Sequence, residues 1–195
     1  MTTEGATSKS HSVSSAAVTD EGGACLKAWR VAYTRVNYER RAADVIARMG
    51  HETYVPVQRE MHQWSDRRKM VSRVVIPMCV FVRTDAAGAA AIERLSFVSH
   101  FLRIPGERRV AVVPDEQLAV FRFMIENAER PVTMEPISVH MGDRVRLVRG
   151  HLRGMTGFVS RHKGGETRVA IVLDHLGCAS VVVDADDLAL INPPL

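Results

Sequence analysis

Apolar and polar positions along the chain alternate between two periods, and the switches mark its elements. From Met1 to about Ala24 there is no pattern: Ser, Thr, Ala and Gly with a few charges offer too little to bury to offset the entropy of ordering, and residues 1–26 read as a disordered leader. Ala28 to Thr34 then reads as a strand. It runs into a helix whose apolar face is Ala42, Val45, Ile46 and Met49, with Asn37 placed to cap its start and Gly50 to take the left-handed turn at its end. Strand-like residues return over Glu52 to Glu60. Met61 to Ser72 is polar and basic, as a hairpin tip or loop would be, and Val74 to Val82 is a nearly unbroken β-branched run expected to be covered on both faces. Pro77 inside that run calls for an edge position or a bulge, because proline gives a ladder no donor. A short helix around Ala89 to Leu95, a strand around Val98 to Ile104 and a helix opened by Pro114, Asp115 and Glu116 follow. The order strand, helix, strand, strand, helix, strand, helix predicts an α+β sandwich, with helices packed on a small antiparallel sheet.

Around Ala128 to Ser138 the pattern breaks at Pro131 and Pro136, and residues 128–137 read as a flexible linker between independently moving units, 27–127 and 138–195. Beyond it the period becomes two. Val145 and Leu147 alternate with Arg144 and Arg146, and glycines recur at Gly150, Gly154 and Gly157. Gly164-Gly165 suits a tight hairpin, and strands are expected at Arg168 to Leu173 and Ala179 to Val183. Five short strands in about sixty residues describe a small closed β-barrel.

Composition narrows the class of function more than it selects one. Of 195 residues 46% are hydrophobic, enough for a core, and the formal net charge is only +4. The excess of arginine sits between Lys27 and Arg130, where a polyanion would bind, while the chain from Ile137 is nearly balanced. Cys25, Cys79 and Cys178 are far apart and odd in number, so neither a disulfide framework nor a zinc cage is suggested, and a reduced, cytoplasmic protein fits. No run approaches the ~18 apolar residues that span a bilayer. The eight histidines are scattered, with no His, Cys or carboxylate set at catalytic or metal-ligand spacing, and no enzyme, cofactor or metal is expected.

Two sets of residues carry a resemblance. The stretch Gly142-Asp143-Arg144-Val145-Arg146-Leu147-Val148-Arg149-Gly150-His151-Leu152-Arg153-Gly154-Met155-Thr156-Gly157-Phe158-Val159 resembles the KOW motif, a strand, a glycine turn, a large apolar residue and glycine again before the next strand. Upstream, Trp29-Arg30-Val31-Ala32-Tyr33, Met49-Gly50 leading to Tyr54-Val55-Pro56, Ile76-Pro77-Met78-Cys79-Val80-Phe81-Val82 and Val98-Ser99-His100-Phe101-Leu102 resemble, in order, the signatures of the NusG N-terminal domain. The resemblance covers Lys27 to Ile191. Within the family it is closer to the specialised paralogs, of the RfaH or capsular polysaccharide operon regulator type, than to the housekeeping protein.

The resemblance implies an α+β chain: a NusG-type N-terminal sandwich, a linker, and a five-stranded KOW barrel. It implies a monomeric, non-enzymatic factor that binds transcribing RNA polymerase and modulates pausing or termination. The clamp helices of the largest polymerase subunit would be gripped by Tyr33, Ile76, Cys79 and Phe81. By position, Arg35, Arg41 and Arg48 match the face that contacts the non-template DNA strand, with Arg67 and Arg68 beside Trp64 as an added contact. The KOW partner, either Rho or a small-subunit ribosomal protein, would meet Leu152, Met155 and Leu176. Two departures stand out: Met78-Cys79 replaces the usual Gly-Tyr or Asn-Tyr pair, and Gly88-Ala89-Ala90 stands where some paralogs carry a polar His-Thr-Thr gate-loop contact. The competing reading is an RNA-binding or ribosome-associated translation protein built on the KOW barrel.

Overall fold

The computed structural model describes residues 26–63, 68–135, 142–161 and 166–191. The expected leader up to residue 25, Trp64, Arg67, the last two residues of the expected linker, Pro136 and Ile137, and Gly164 and Gly165 lie outside the described residues.

The first half is built on a four-stranded antiparallel sheet in the order β2-β5-β1-β6, from β1 (Ala28–Thr34), β2 (Glu52–Tyr54), β5 (Cys79–Thr84) and β6 (Val98–Phe101). Alternation along β1 and β5 gives this sheet two apolar faces. Ala32, Val80, Val82 and Phe101 pack under α1 (Glu39–Arg48) and α2 (Ala86–Glu93) through Ala42, Ala43, Ile46, Ala89 and Ile92. On the other face Trp29, Val31, Cys79 and Phe81 pack with Leu118, Phe121, Met124 and Ile125 of α3 (Asp115–Asn127). Full burial of side chains such as Phe81, Phe101 and Phe121 stabilises by about 1.5–3 kcal/mol each. Gly50 takes the left-handed conformation expected of it, φ 89°. Asn37 does not cap α1. It is itself left-handed, φ 60°, and Tyr38 occupies the cap position without a side-chain bond.

Two departures from the sequence reading follow from one feature. The apolar run Val74 to Val82 is not a single strand: β4 (Arg68–Val74) ends, the chain turns through Pro77 and Met78, and β5 begins at Cys79. The proline therefore sits in a turn, and the run stays apolar because the turn's root, Val75 and Ile76, is buried. Of the two readings of the polar stretch before it, hairpin tip or loop, the structure has the hairpin, and its strands reach further into that stretch than a tip would: β3 (Val57–Gln63) pairs with β4 over seven residues from Val57↔Val74 to Gln63↔Arg68.

The second half is a six-stranded antiparallel sheet in the order β12-β8-β9-β10-β11-β7, from β7 (Thr133–Glu135), β8 (Arg144–Leu147), β9 (Thr156–Arg161), β10 (Thr167–Leu173), β11 (Gly177–Val182) and β12 (Leu188–Leu190). Five strands were expected. The sixth, β7, comes from the segment read as linker and pairs with β11, Ala179 opposite Met134. That segment is held elsewhere too. Val132 is fully buried, and its N–H donates to Gln58 Oε1 at 2.8 Å, while Gln58 Nε2 donates to Arg130 O at 3.0 Å. The Arg73 guanidinium donates to Val132 O at 2.9 Å. One hydrophobic cluster runs from Trp29 and Phe81 through α3 to Val145, Leu147, Val169, Ile171 and Leu173. No helix among the described residues is long and apolar enough to cross a membrane.

Candidate functional site

The residues expected to grip a polymerase come together at one end of the first sheet. Tyr33 pairs across the sheet with Cys79 on one side and His100 on the other. The Tyr33 and His100 rings lie 4.9 Å apart at 31°, with Tyr33 half-buried and His100 exposed. Ile76, Cys79 and Phe81 are buried, at 8%, 2% and 0% exposure, so they form the floor beneath this edge and not its surface. Phe81 is covered by Phe121, ring centroids 6.1 Å apart. What remains accessible is Tyr33, His100 and, at 40% exposure, Met78.

A buried carboxylate fixes the turn that carries Met78. Glu39, in the first turn of α1, is 5% exposed, and its Oε1 accepts the Met78 N–H at 2.6 Å. The Thr34 N–H donates to Met78 O at 2.7 Å. Met78 is thereby held at φ 60°, a conformation glycine or asparagine adopts at less cost, which is the physical content of the Met78-Cys79 departure. Burial, with Glu39 as the second cause, pushes the Cys79 thiol up to about 12, so it is an apolar wall and not a nucleophile. Burial raises Tyr33 as well, with Cys79 secondary.

The proposed nucleic-acid face lies on α1. Arg35, Arg41 and Arg48 are all exposed, and among the described residues none forms an ion pair. The Arg41 guanidinium lies 5.2 Å from the centroid of Tyr38, whose ring is 5.5 Å from that of Phe97. This cation–aromatic group at the start of α1 was not singled out from sequence, although Tyr38 and Arg41, three apart in a helix, share a face. Arg68 lies in β4 opposite Gln63. Gly88-Ala89-Ala90 falls in the first turns of α2, where Asp85 Oδ1 accepts the Gly88 N–H at 2.7 Å. A Cβ on Gly88 would run into Thr84 and His51, so a side chain there has no room.

In the second half, Leu152 and Met155 are 6% and 5% exposed and join the core, and Leu176 is half-buried against it. Leu176 sits in the β10–β11 turn, between His175 at φ 64° and Gly177 at φ 125°. The Asp174 N–H in that turn donates to Gln117 Oε1 of α3 at 2.9 Å. A shallow cleft is lined by Asn127, Leu147, Gly150 and Val182 and rimmed by an exposed contact, His151 Nδ1–Glu129 Oε1 at 2.6 Å, and an exposed ion pair, Arg130 Nη2–Asp184 Oδ1 at 3.4 Å. Among the described residues no group of three or more His, Cys, Asp or Glu is placed to hold a metal ion.

The family described as transcription termination factor nusG matches residues 27–122. Residues 27–122 of this chain are thus similar to that family. NusG-family proteins are transcription factors, and the matched residues contain the four-stranded sheet, α1, α2, the β3–β4 hairpin and the Tyr33–Met78 edge. Among solved structures, one titled "Domain interaction in Thermotoga maritima NusG" is 17% identical, covering 85% of this chain and 98% of that one at a TM-score of 0.46. Another, the MjSpt4:Spt5 complex in conformation A, is 12% identical, covering 84% of this chain and 97% of that one at a TM-score of 0.30. A comparison with curated proteins found no match.

Proposed function

We propose that this chain is a non-enzymatic elongation factor that binds transcribing RNA polymerase and modulates pausing or termination, acting on a restricted class of operons as an antiterminator. The observation that carries this reading is the aromatic and apolar edge of a NusG-family sheet. Tyr33, His100 and Met78 are accessible above the buried floor of Ile76, Cys79 and Phe81, and the edge is held rigid by the Glu39–Met78 bond. In this reading the edge meets the clamp helices of the largest subunit, where apolar complementarity supplies affinity. Arg35, Arg41 and Arg48, which form no ion pair among the described residues, follow the non-template strand, neutralising phosphates. The second sheet is read as a KOW barrel that recruits Rho or a small-subunit ribosomal protein. With Leu152 and Met155 buried, Leu176 is the apolar residue of that set best placed for a partner.

Purified polymerase core, mixed with the full chain, tests this directly. Tyr33→Asp is expected to abolish the complex, with folding confirmed by an unchanged urea transition, and deletion in the cell is expected to produce premature transcript ends in long operons. A second reading, an RNA-binding or ribosome-associated protein, is favoured by Arg144 and Arg146, which project from one face of β8, are exposed, and lack ion pairs among the described residues. It predicts co-sedimentation with ribosomal subunits that survives Tyr33→Asp.

A further inference from the structure

We propose that the β3–β4 hairpin is a DNA-binding arm whose outer face lies in the major groove of a B-form duplex, a contact distinct from the single-strand contact assigned to α1. Among the described residues the ribbon pairs with no other strand, and its seven residue pairs make it about 20 Å long at ~3.4 Å per residue. Its two faces are treated differently by the fold. One face is anchored to the body: Gln58 is 3% exposed and bonded to the 128–132 segment, and Arg73 is spent on Val132 O and on Glu60 at 2.6 Å. The other face, by register, carries Arg59 opposite Ser72 and Met61 opposite Met70. All four are exposed, the two methionines at 62% and 52%.

Folding does not account for that face. A pair of cross-strand methionines in water contributes almost no burial to the native state, and they sit on an element that is charged for its length. Residues 57–74 hold five basic side chains against two acidic ones, so this ribbon carries +3 of the chain's formal +4. Arg59 on the outer face, and Lys69 opposite His62 on the other, are exposed and form no ion pair among the described residues. The charge selects a polyanion, and the shape selects which one. A two-stranded ribbon fits the ~12 Å major groove of B-DNA, where apolar side chains meet thymine methyl groups and basic ones meet phosphate or guanine. The A-form groove of duplex RNA is too deep and narrow for side chains to read. A single strand would not need an extended rigid arm. The ribbon root packs with α3, whereas α1 covers the opposite face of the sheet, so the two contacts serve different stretches of nucleic acid.

The test uses the full chain and short labelled probes: duplex DNA, single-stranded DNA and duplex RNA, followed by fluorescence anisotropy across a salt series. Two variants address the outer face of the arm, Arg59→Glu, and the charge-neutral Met61→Ser with Met70→Ser; Arg41→Ala with Arg48→Ala is the control on α1. Both arm variants change only exposed side chains, and an unchanged urea transition confirms that each folds. Each is expected to weaken duplex DNA binding about tenfold or more while leaving the other two probes within about twofold. The charge variant alone should flatten the salt dependence. The control should show the reverse, losing single-stranded DNA and keeping the duplex. Wild-type duplex affinity in either arm variant overturns groove insertion, as does an equal loss on all three probes, which would mark a general polyanion surface. Intact duplex binding with lost polymerase binding would assign the arm to a protein partner instead. Because no probe contains polymerase, failure of the polymerase reading leaves this result independent.

Discussion

Replacing Gln58 with alanine should show how firmly the two halves are joined. Gln58 is 3% exposed and bridges the hairpin to the 128–132 segment. It accepts the Val132 N–H at 2.8 Å and donates to Arg130 O at 3.0 Å, with a longer donation to Ala128 O at 3.4 Å. Alanine removes all three. The Val132 residue is fully buried, so its N–H finds no water and bears most of the penalty, about 1–3 kcal/mol for a buried unsatisfied donor. Arg130 is exposed and its carbonyl can recover a water, so its share is smaller, about 0.5–1 kcal/mol. The 3.4 Å contact is too long to add much. The expected loss is therefore about 3 kcal/mol, read from the urea midpoint at constant slope. Limited proteolysis should also cut sooner after residue 135. A loss below about 0.5 kcal/mol would mean that the clasp does not hold in solution and that residues 128–137 act as the loose tether their prolines suggest.

Two further outcomes concern the proposed polymerase edge. Burial raises the Cys79 thiol to about 12 from an ordinary 9.0, so on raising the pH the unfolded chain ionises first. The stability linked to Cys79 is complete below about pH 9 and drains away toward pH 12, up to about 4 kcal/mol over the whole window. Urea midpoints should fall more steeply between about pH 9 and about pH 11 in wild type than in Cys79→Ala; identical slopes would refute the burial argument. Met78 occupies a left-handed conformation at φ 60°, so Met78→Gly should be neutral or up to about 0.5 kcal/mol more stable, relief of strain exceeding glycine's extra chain entropy. A loss above about 1 kcal/mol in calorimetry would show that the methionine side chain is packed in solution.

Much of this was legible in the sequence where one physical rule acts alone. The apolar spacing of α1, Pro114 before α3 and the period of two in β8 all have local causes, and the chain obeys them. The errors arose where the deciding contact is distant. Thr133–Glu135 looks like linker because its strand partner, Cys178–Ser180, lies far along the chain. Val74 to Val82 looks like one strand because the buried root of its turn, Val75 and Ile76, keeps the run apolar. The extent of the hairpin strands is hidden because Met61, Lys69 and Met70 are all exposed, so no burial imposes an alternation of apolar and polar residues there. At the candidate site, residue type marked Ile76, Cys79 and Phe81 as apolar but could not say floor or rim; that depended on Phe121, forty residues beyond Phe81. Likewise Leu152 and Met155 are apolar for the sake of the core they fill.

The measurement that bears most directly on the central proposal is the binding of purified RNA polymerase core to the wild-type chain and to Tyr33→Asp, made side by side with ribosomal subunits. A stable polymerase complex that Tyr33→Asp destroys, with no retention on subunits lacking polymerase, is the predicted result. Wild-type protein that ignores polymerase, or a complex indifferent to a carboxylate placed at Tyr33, would contradict it.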